Sequence, residues 1–229
     1  MYKRQPEGDR PFLTALDLET LETVELFRSD EGAYEQVIEV LAGDGSQLLT
    51  QHETPYSPPN LRVRDLSQRT FRALTDFEDP APELRGVQKQ LIRYRRQDGV
   101  ELSATLYLPP GYREGQSLPM LMWAYPREFN DPKVASQVRG SPHRFTRVTG
   151  SSHLFLLTQG YAILDGPAMP IVGEQGNDSF VEQLVMNARA AVDEVVRLGV
   201  SESSQIAIGG HSYGAFMTAN LLAHTDLFQ

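Results

Sequence analysis

The sequence contains no cysteine among its 229 residues. This absence excludes a disulfide-stapled scaffold, a metal site built from thiolates and a cysteine nucleophile. It leaves the cellular compartment open, because a large domain in an oxidising compartment needs no disulfides. The sequence is equally silent on the oligomeric state.

Positive charge is also scarce, with 21 Lys and Arg against 30 Asp and Glu and a formal net charge of -9. This balance argues against a nucleic-acid partner, which would require a basic patch. No stretch approaches the roughly 20 apolar residues of a membrane span, and residues 1–12 lack the apolar centre of a signal peptide. No histidine–carboxylate cluster has the spacing of metal ligands, so we predict neither a metal nor a cofactor.

What is present is an ordinary globular composition, 40% apolar, which excludes collagen, a coiled coil and a disordered tail. An acidic segment with two prolines, residues 76–83, divides the chain near residue 80 and is typical of a linker. We therefore predict two domains, residues 1–80 and residues 81–229.

The first segment consists of short alternating runs separated by turns. Gln36 to Leu41 and Gln47 to Gln51 flank an Asp-Gly turn and predict a hairpin. A second pattern recurs 48 positions later, where an alternating strand ends at Asp-Leu, turns and restarts: Leu13, Ala15, Asp17, Leu18 and Leu26 return as Leu61, Val63, Asp65, Leu66 and Leu74. A repeat of about 40–50 residues indicates β-propeller blades. The alternative is two unrelated hairpins that share a common turn. On the propeller interpretation, one blade and part of another are present, and the other blades precede Met1.

The second segment changes pattern. Two alternating runs joined by Asp98-Gly99 predict an antiparallel hairpin over 88–108. Apolar runs at 118–125, 161–164 and 205–208 predict buried strands, and they alternate with a short helix over 151–159 and a long amphipathic helix over 178–198, capped by Asn177 or Asp178. This order predicts an α/β domain with a mostly parallel sheet covered by helices.

The motif Gly210-His211-Ser212-Tyr213-Gly214 carries the chemistry. It follows a predicted strand and precedes an apolar helix, which is the context of a nucleophile elbow. Such a turn holds its serine in strained backbone, and glycines two residues away on either side let neighbouring backbone pass closely. The alternative is an ordinary glycine-rich turn. On the first interpretation Ser212 is a nucleophile.

An oxyanion hole needs donors near that serine. The backbone N–H of Tyr213, directly after it, supplies one. A second comes in such folds from the loop after the third strand, but Pro126 there has no N–H. The hydroxyl of Tyr125 is a candidate donor, and a tyrosine that merely caps the sheet edge is the equal alternative.

Five stretches of the second segment resemble the prolyl oligopeptidase family of serine peptidases, and within it the glutamyl endopeptidases of chloroplasts and bacteria. They are WAYPRE (123–128), QVRGSP (137–142), GPAMPIVG (166–173), NDSFVEQL (177–184) and GGHSYGAFMTANLLAHTDL (209–227). The resemblance implies an α/β-hydrolase domain, truncated after the elbow helix, that follows the end of a β-propeller. It implies Ser212 as nucleophile, Tyr125 as oxyanion donor, a peptide or unfolded protein as substrate, and cleavage after glutamate.

The sequence departs from the family pattern after Ser212. In this fold the triad order is serine, aspartate, histidine, but only His224 and Asp226 follow. His224 lies 12 residues along the predicted helix, roughly 18 Å away at the helical rise per residue. His211 is expected to point into the fold, and His143 and His153 to be peripheral. We therefore expect a fragment, cut at both ends and inactive alone, whose triad partners lie beyond Gln229.

A glutamate at the cleavage site would require a positive partner, ideally a guanidinium. Arg127 and Arg139, and with them Arg144 and Arg147, are placed by the sequence in the loop after the third strand and are candidates. Two other functions stay open: an esterase or acylaminoacyl-peptidase on the same fold, and a non-catalytic propeller or interaction module with a degenerate hydrolase fold. The intact Ser212 and its glycines argue against the second of these.

Overall fold

A computed structural model describes residues 8–138, 140–174 and 176–229. The chain forms two compact units. The first comprises residues 8–82 together with 140–147, and the second comprises the other described residues. Residues 140–147 thus belong to the first unit, although the sequence places them in the segment after residue 80.

The first unit consists of two antiparallel sheets that follow chain order. A two-stranded sheet precedes a four-stranded meander, and the predicted Asp-Gly hairpin is its first pair of strands. The strands are β1 (Phe12–Leu16) and β2 (Thr23–Arg28), then β3 (Tyr34–Val40), β4 (Gln47–Thr54), β5 (Ser57–Asp65) and β6 (Thr70–Ala73).

The turns of the β1–β2 and β5–β6 hairpins repeat one another at the 48-residue spacing. Asp17 accepts the backbone N–H of Thr20, and Asp65 accepts that of Gln68. These backbone hydrogen bonds are the largest cause of the lowered pKa of each carboxyl. Each turn then passes through a non-glycine residue with positive φ, Leu21 at 59° and Arg69 at 55°. The sequence echo therefore reflects a shared turn geometry.

The second unit contains the elements β7 (Gln88–Arg95), β8 (Glu101–Leu108), β9 (Met120–Phe129), α1 (Pro132–Ala135), a 3-10 helix (His153–Gln159), β10 (Ala162–Val172), α2 (Phe180–Arg197), β11 (Ile206–Gly209) and α3 (Tyr213–His224). Its five strands form one sheet in the order β7-β8-β10-β9-β11. The predicted hairpin is confirmed, and β9, β10 and β11 run parallel to one another. Among the described residues, no helix is long and apolar enough to cross a membrane.

Two strands are longer than the sequence predicts. β9 continues past Pro126 to Phe129, because it pairs there with β10. Pro126 is tolerated, since β11 ends opposite Trp123 and leaves the other side of β9 as an edge. β10 continues past Leu164 to Val172 through an irregularity between Asp165 and Ala168. The apolar run does not predict this extension, because the run ends at Asp165 and Gly166.

The core of this unit lies between the sheet and the two long helices. α2 buries the predicted apolar face, including Leu184, Ala188 and Val195, and packs with Met217 and Leu221 of α3 against Met122 of β9. The helix begins later than predicted, after a 3-10 turn at Gly176–Ser179, so Ser179 occupies the N-cap position in place of Asn177 or Asp178. Gly199, with φ of 70°, follows its end, as expected for a helix C-terminus.

We predict that Tyr94→Phe leaves stability unchanged or raises it by about 1 kcal/mol. Tyr94 is buried in β7, and its hydroxyl has no hydrogen-bond partner among the described residues. Burial also raises the pKa of this phenol. Removing an unsatisfied buried hydroxyl removes its desolvation cost. The midpoint of urea unfolding measures the effect, with Tyr56→Phe at an 84% exposed tyrosine as control. A large loss of stability in Tyr94→Phe would contradict the structure.

Candidate active site

Ser212 lies in a sharp turn between β11 and α3. Its backbone angles are φ 55° and ψ −117°, a conformation that costs a non-glycine residue about 1–3 kcal/mol. Two backbone hydrogen bonds close the turn, from Gly214 N–H to the His211 carbonyl at 2.8 Å and from Ala215 N–H to the Ser212 carbonyl at 2.9 Å. The serine side chain is exposed. The turn thus presents a hydroxyl at the N-terminus of a helix.

The glycines that flank Ser212 are required by a close approach of β9. A Cβ at Gly210 would lie 2.5 Å from the carbonyl oxygen of Ala124, and a Cβ at Gly214 would lie 2.4 Å from the same atom. Neither glycine has a positive φ, so the constraint is steric and does not depend on backbone conformation. One carbonyl of β9 therefore fixes both sides of the turn.

Tyr213 is held from several directions. Its hydroxyl donates to Glu128 Oε1 at 3.0 Å, and its ring forms a cluster with those of Phe180 and Phe216, at centroid distances of 5.7 and 5.9 Å. Burial, followed by the hydrogen bond to Glu128, raises the pKa of the Tyr213 phenol. Its backbone N–H belongs to the first turn of α3, where helical N–H groups have no acceptor within the helix. The anchored side chain fixes the orientation of this N–H relative to the Ser212 side chain.

Tyr125 follows Ala124 on β9 and therefore lies beside the same turn. Its ring meets that of Tyr213 edge-on at 6.0 Å, and its Cδ2 atom is 3.7 Å from the position of a Cβ on Gly214. The side chain is 46% exposed. The structure thus brings together Tyr125, Ser212 and Tyr213, the three residues that the sequence analysis groups at the candidate site.

The candidate arginines lie in different parts of the structure. Arg127 is exposed and lies in β9, so its predicted position in a loop is wrong. Arg139 lies outside the described residues. Arg144 belongs to the first unit, where its Nε is 3.3 Å from Glu53 and its guanidinium is 4.9 Å from the centre of the Tyr34 ring. Arg147, in the same unit, is exposed.

The histidines differ in part from the sequence expectation. His211 is exposed, so its predicted direction into the fold is wrong, and His224 is exposed at the end of α3. His153 pairs with Asp165 and stacks on Trp123. No sequence signal predicts this contact, because the three residues come from three separate elements. Among the described residues, no group of three His, Asp or Glu side chains could hold a metal ion.

Comparison with curated proteins finds two chloroplastic relatives, each described as a probable glutamyl endopeptidase. The protein from Arabidopsis thaliana is 45% identical over 96% of this chain and 24% of its own length. The protein from Oryza sativa subsp. japonica is 45% identical over 96% of this chain and 25% of its own length. The chain therefore spans about a quarter of the length of the curated relatives it matches. No family model matches it.

The fold also resembles solved peptidase structures. The AtxE2 isopeptidase aligns with a TM-score of 0.66 and 21% identity over 95% of this chain and 33% of that one. This likeness shows that the chain shares the fold of the matching part of that peptidase. The chain is therefore similar in sequence to the glutamyl endopeptidases and in fold to peptidases of the prolyl oligopeptidase family.

We predict that Gly214→Ala destabilises the chain by about 1–3 kcal/mol, as overpacking of a tight site does. The added Cβ would overlap the Ala124 carbonyl oxygen, so either β9 or the turn must move. Urea unfolding measures the loss. Gly43→Ala is the matched control, since no atom lies within 4 Å of its Cβ position. Equal stability of the two variants would contradict the close approach.

Proposed function

We propose that Ser212 is the nucleophile of a peptidase that hydrolyses peptide bonds through an acyl-enzyme. The observation that carries the proposal is the strained turn that presents Ser212 at the N-terminus of α3. An ordinary turn has no need for a serine with positive φ between two glycines that touch one carbonyl. Strain of this kind persists where function requires it.

The chemistry follows from this geometry. Ser212 Oγ attacks the carbonyl carbon of the scissile bond while a base removes its proton. The carbonyl oxygen becomes an oxyanion, which the Tyr213 N–H and the Tyr125 hydroxyl stabilise by hydrogen bonding. The amine leaves with a proton, and water then hydrolyses the acyl-enzyme. This assignment makes Tyr125 a donor and not an edge cap.

Among the described residues, no hydrogen bond joins Ser212 Oγ to a histidine, and the neighbouring His211 is exposed to solvent. His224 lies at the far end of α3, roughly 18 Å along the helix at 1.5 Å per residue, and a base must lie within about 3 Å. The proposal therefore includes a histidine and an aspartate outside these 229 residues, and little or no turnover by this chain alone.

The proposal extends to the domains. Residues 81–229 would form part of an α/β-hydrolase domain, which is supported by the parallel strands and the elbow that follows β11. Residues 1–80 would form the end of a β-propeller, with β3 to β6 as one blade and β1–β2 as the outer hairpin of another. The repeated turns at Asp17 and Asp65 support equivalent hairpins in successive blades.

The curated relatives suggest the substrate. They are described as probable glutamyl endopeptidases, and we propose that a peptide is cleaved after glutamate. Arg127 is the candidate partner of the glutamate carboxylate, because it is exposed and lies two residues after Tyr125 on β9. Arg139 is retained as a second candidate on its sequence position alone.

The nucleophile is tested by labelling with a fluorophosphonate and mapping the modified residue by mass spectrometry. We expect Ser212 to be labelled in the protein extended to the natural stop of its gene, and weakly or not at all in the 229-residue chain. Ser212→Ala is the control. Absence of labelling in both proteins would favour a non-catalytic module, and strong labelling of the short chain would contradict the missing base.

The substrate class is tested on the same extended protein with matched peptide and ester substrates. We expect Arg127→Ala to lower kcat/KM for cleavage after glutamate about 10- to 100-fold, the effect of losing a charge-assisted hydrogen bond. Arg93→Ala, at an exposed arginine of β7, should change nothing. Rapid ester turnover without peptide cleavage would favour an esterase, and an unchanged preference in Arg127→Ala would exclude that residue.

A further inference from the structure

A histidine–aspartate pair lies in the second unit and takes no part in the proposed chemistry. His153 Nε2 is 2.7 Å from Asp165 Oδ1, and the two side chains are 18% and 33% exposed. The imidazole also stacks on the Trp123 indole, with ring centroids 4.8 Å apart and planes 13° from parallel. One face of the indole is therefore covered by a ring that a carboxylate holds in place.

The indole is in turn packed against the strand that leads to Ser212. A Cβ at Gly209 would lie 3.0 Å from two carbons of the Trp123 ring, Cε3 and Cζ3. Gly209 is the last residue of β11 and lies three residues before Ser212. The backbone of the strand end thus rests directly on the indole.

Register places these residues side by side across three strands. Asp165 of β10 is opposite Trp123 of β9, and Trp123 is opposite Gly209 of β11. Directly after this row, the β9–β10 pairing becomes irregular and β11 ends. The row is therefore the last one in which β10, β9 and β11 are all paired, and Tyr125 follows it by two residues on β9.

Each contact in the row restricts the next. The hydrogen bond to Asp165 fixes the plane of the imidazole, because a neutral or charged ring must keep one nitrogen toward the carboxylate. The stacked imidazole fixes the plane of the indole. The indole limits how far the end of β11 can move toward β9, and small displacements of a nucleophile reduce the rate strongly.

We propose that His153 and Asp165 are positioning residues that act through Trp123 to hold the end of β11 and so the orientation of Ser212. The inference rests on the proposed function, since it assigns a role relative to that nucleophile. The pair touches neither substrate nor reacting atoms. Its role is to keep the turn in one geometry.

The first test uses the indole as its own probe, because Trp123 is the only tryptophan of the chain. We expect His153→Ala and Asp165→Ala each to shift the emission of Trp123 to longer wavelength and to increase its quenching by acrylamide. His153→Phe should restore most of the original signal, since a flat ring remains on the indole. His224→Ala, at an exposed histidine of α3, is the control and should change neither property.

The second test measures the turn itself by amide hydrogen exchange of residues 206–214. We expect faster exchange in His153→Ala and in Asp165→Ala, and no further increase in the double variant, because both substitutions break the same chain of contacts. Unchanged exchange in both single variants, or additive effects, would overturn the inference. Neither measurement requires enzymatic activity.

The third test separates positioning from general stability in the extended protein. We expect a kcat about 10-fold lower in His153→Ala with KM little changed, as for a misplaced nucleophile, and partial recovery in His153→Phe. Faster exchange with an unchanged kcat would overturn the positioning role. If the unsubstituted protein neither cleaves peptides nor labels at Ser212, the proposed function fails, while the fluorescence and exchange results still decide whether the pair holds the strand end.

Discussion

The close passage of the Ala124 carbonyl beneath the Ser212 turn is the constraint on which the rest of the second unit depends. Side chains are excluded at Gly210 and Gly214 because that oxygen occupies their space. The turn can therefore lie close to β9, and Ser212 is forced into a backbone conformation that serine rarely adopts. The energetic cost must be met by the surrounding packing, which the buried contacts of α2 and α3 with the sheet supply.

The strand β9 supports the turn from both of its faces. On one face, Met122 and Ala124 pack in the core beneath the helices. On the other, Trp123 carries the stacked His153 and supports Gly209. Beyond them, Glu128 accepts the hydrogen bond from Tyr213. One strand thus contacts the approach to the turn, the turn itself and the start of the helix that follows.

Much of the local structure is predictable because it depends on neighbours in sequence. The hairpin of β7 and β8, the apolar face of α2 and the glycine after it follow from periodicity and turn residues. The Asp17 and Asp65 turns follow from a repeated pattern, since the aspartate caps backbone groups only a few residues away. The extensions of β9 and β10 are not predictable in this way, because they depend on which strand lies alongside.

The motif around Ser212 shows where sequence information ends. The residue types alone determined that a strand, a glycine-flanked serine and a helix follow one another, because the backbone limits of glycine and serine are local properties. Only the tertiary structure decided what else surrounds that serine: the carbonyl of Ala124, the anchor at Glu128 and the pair of His153 with Asp165. These residues are distant from Ser212 in sequence, and parallel strands joined by long crossovers bring them together without leaving a spacing that could be recognised.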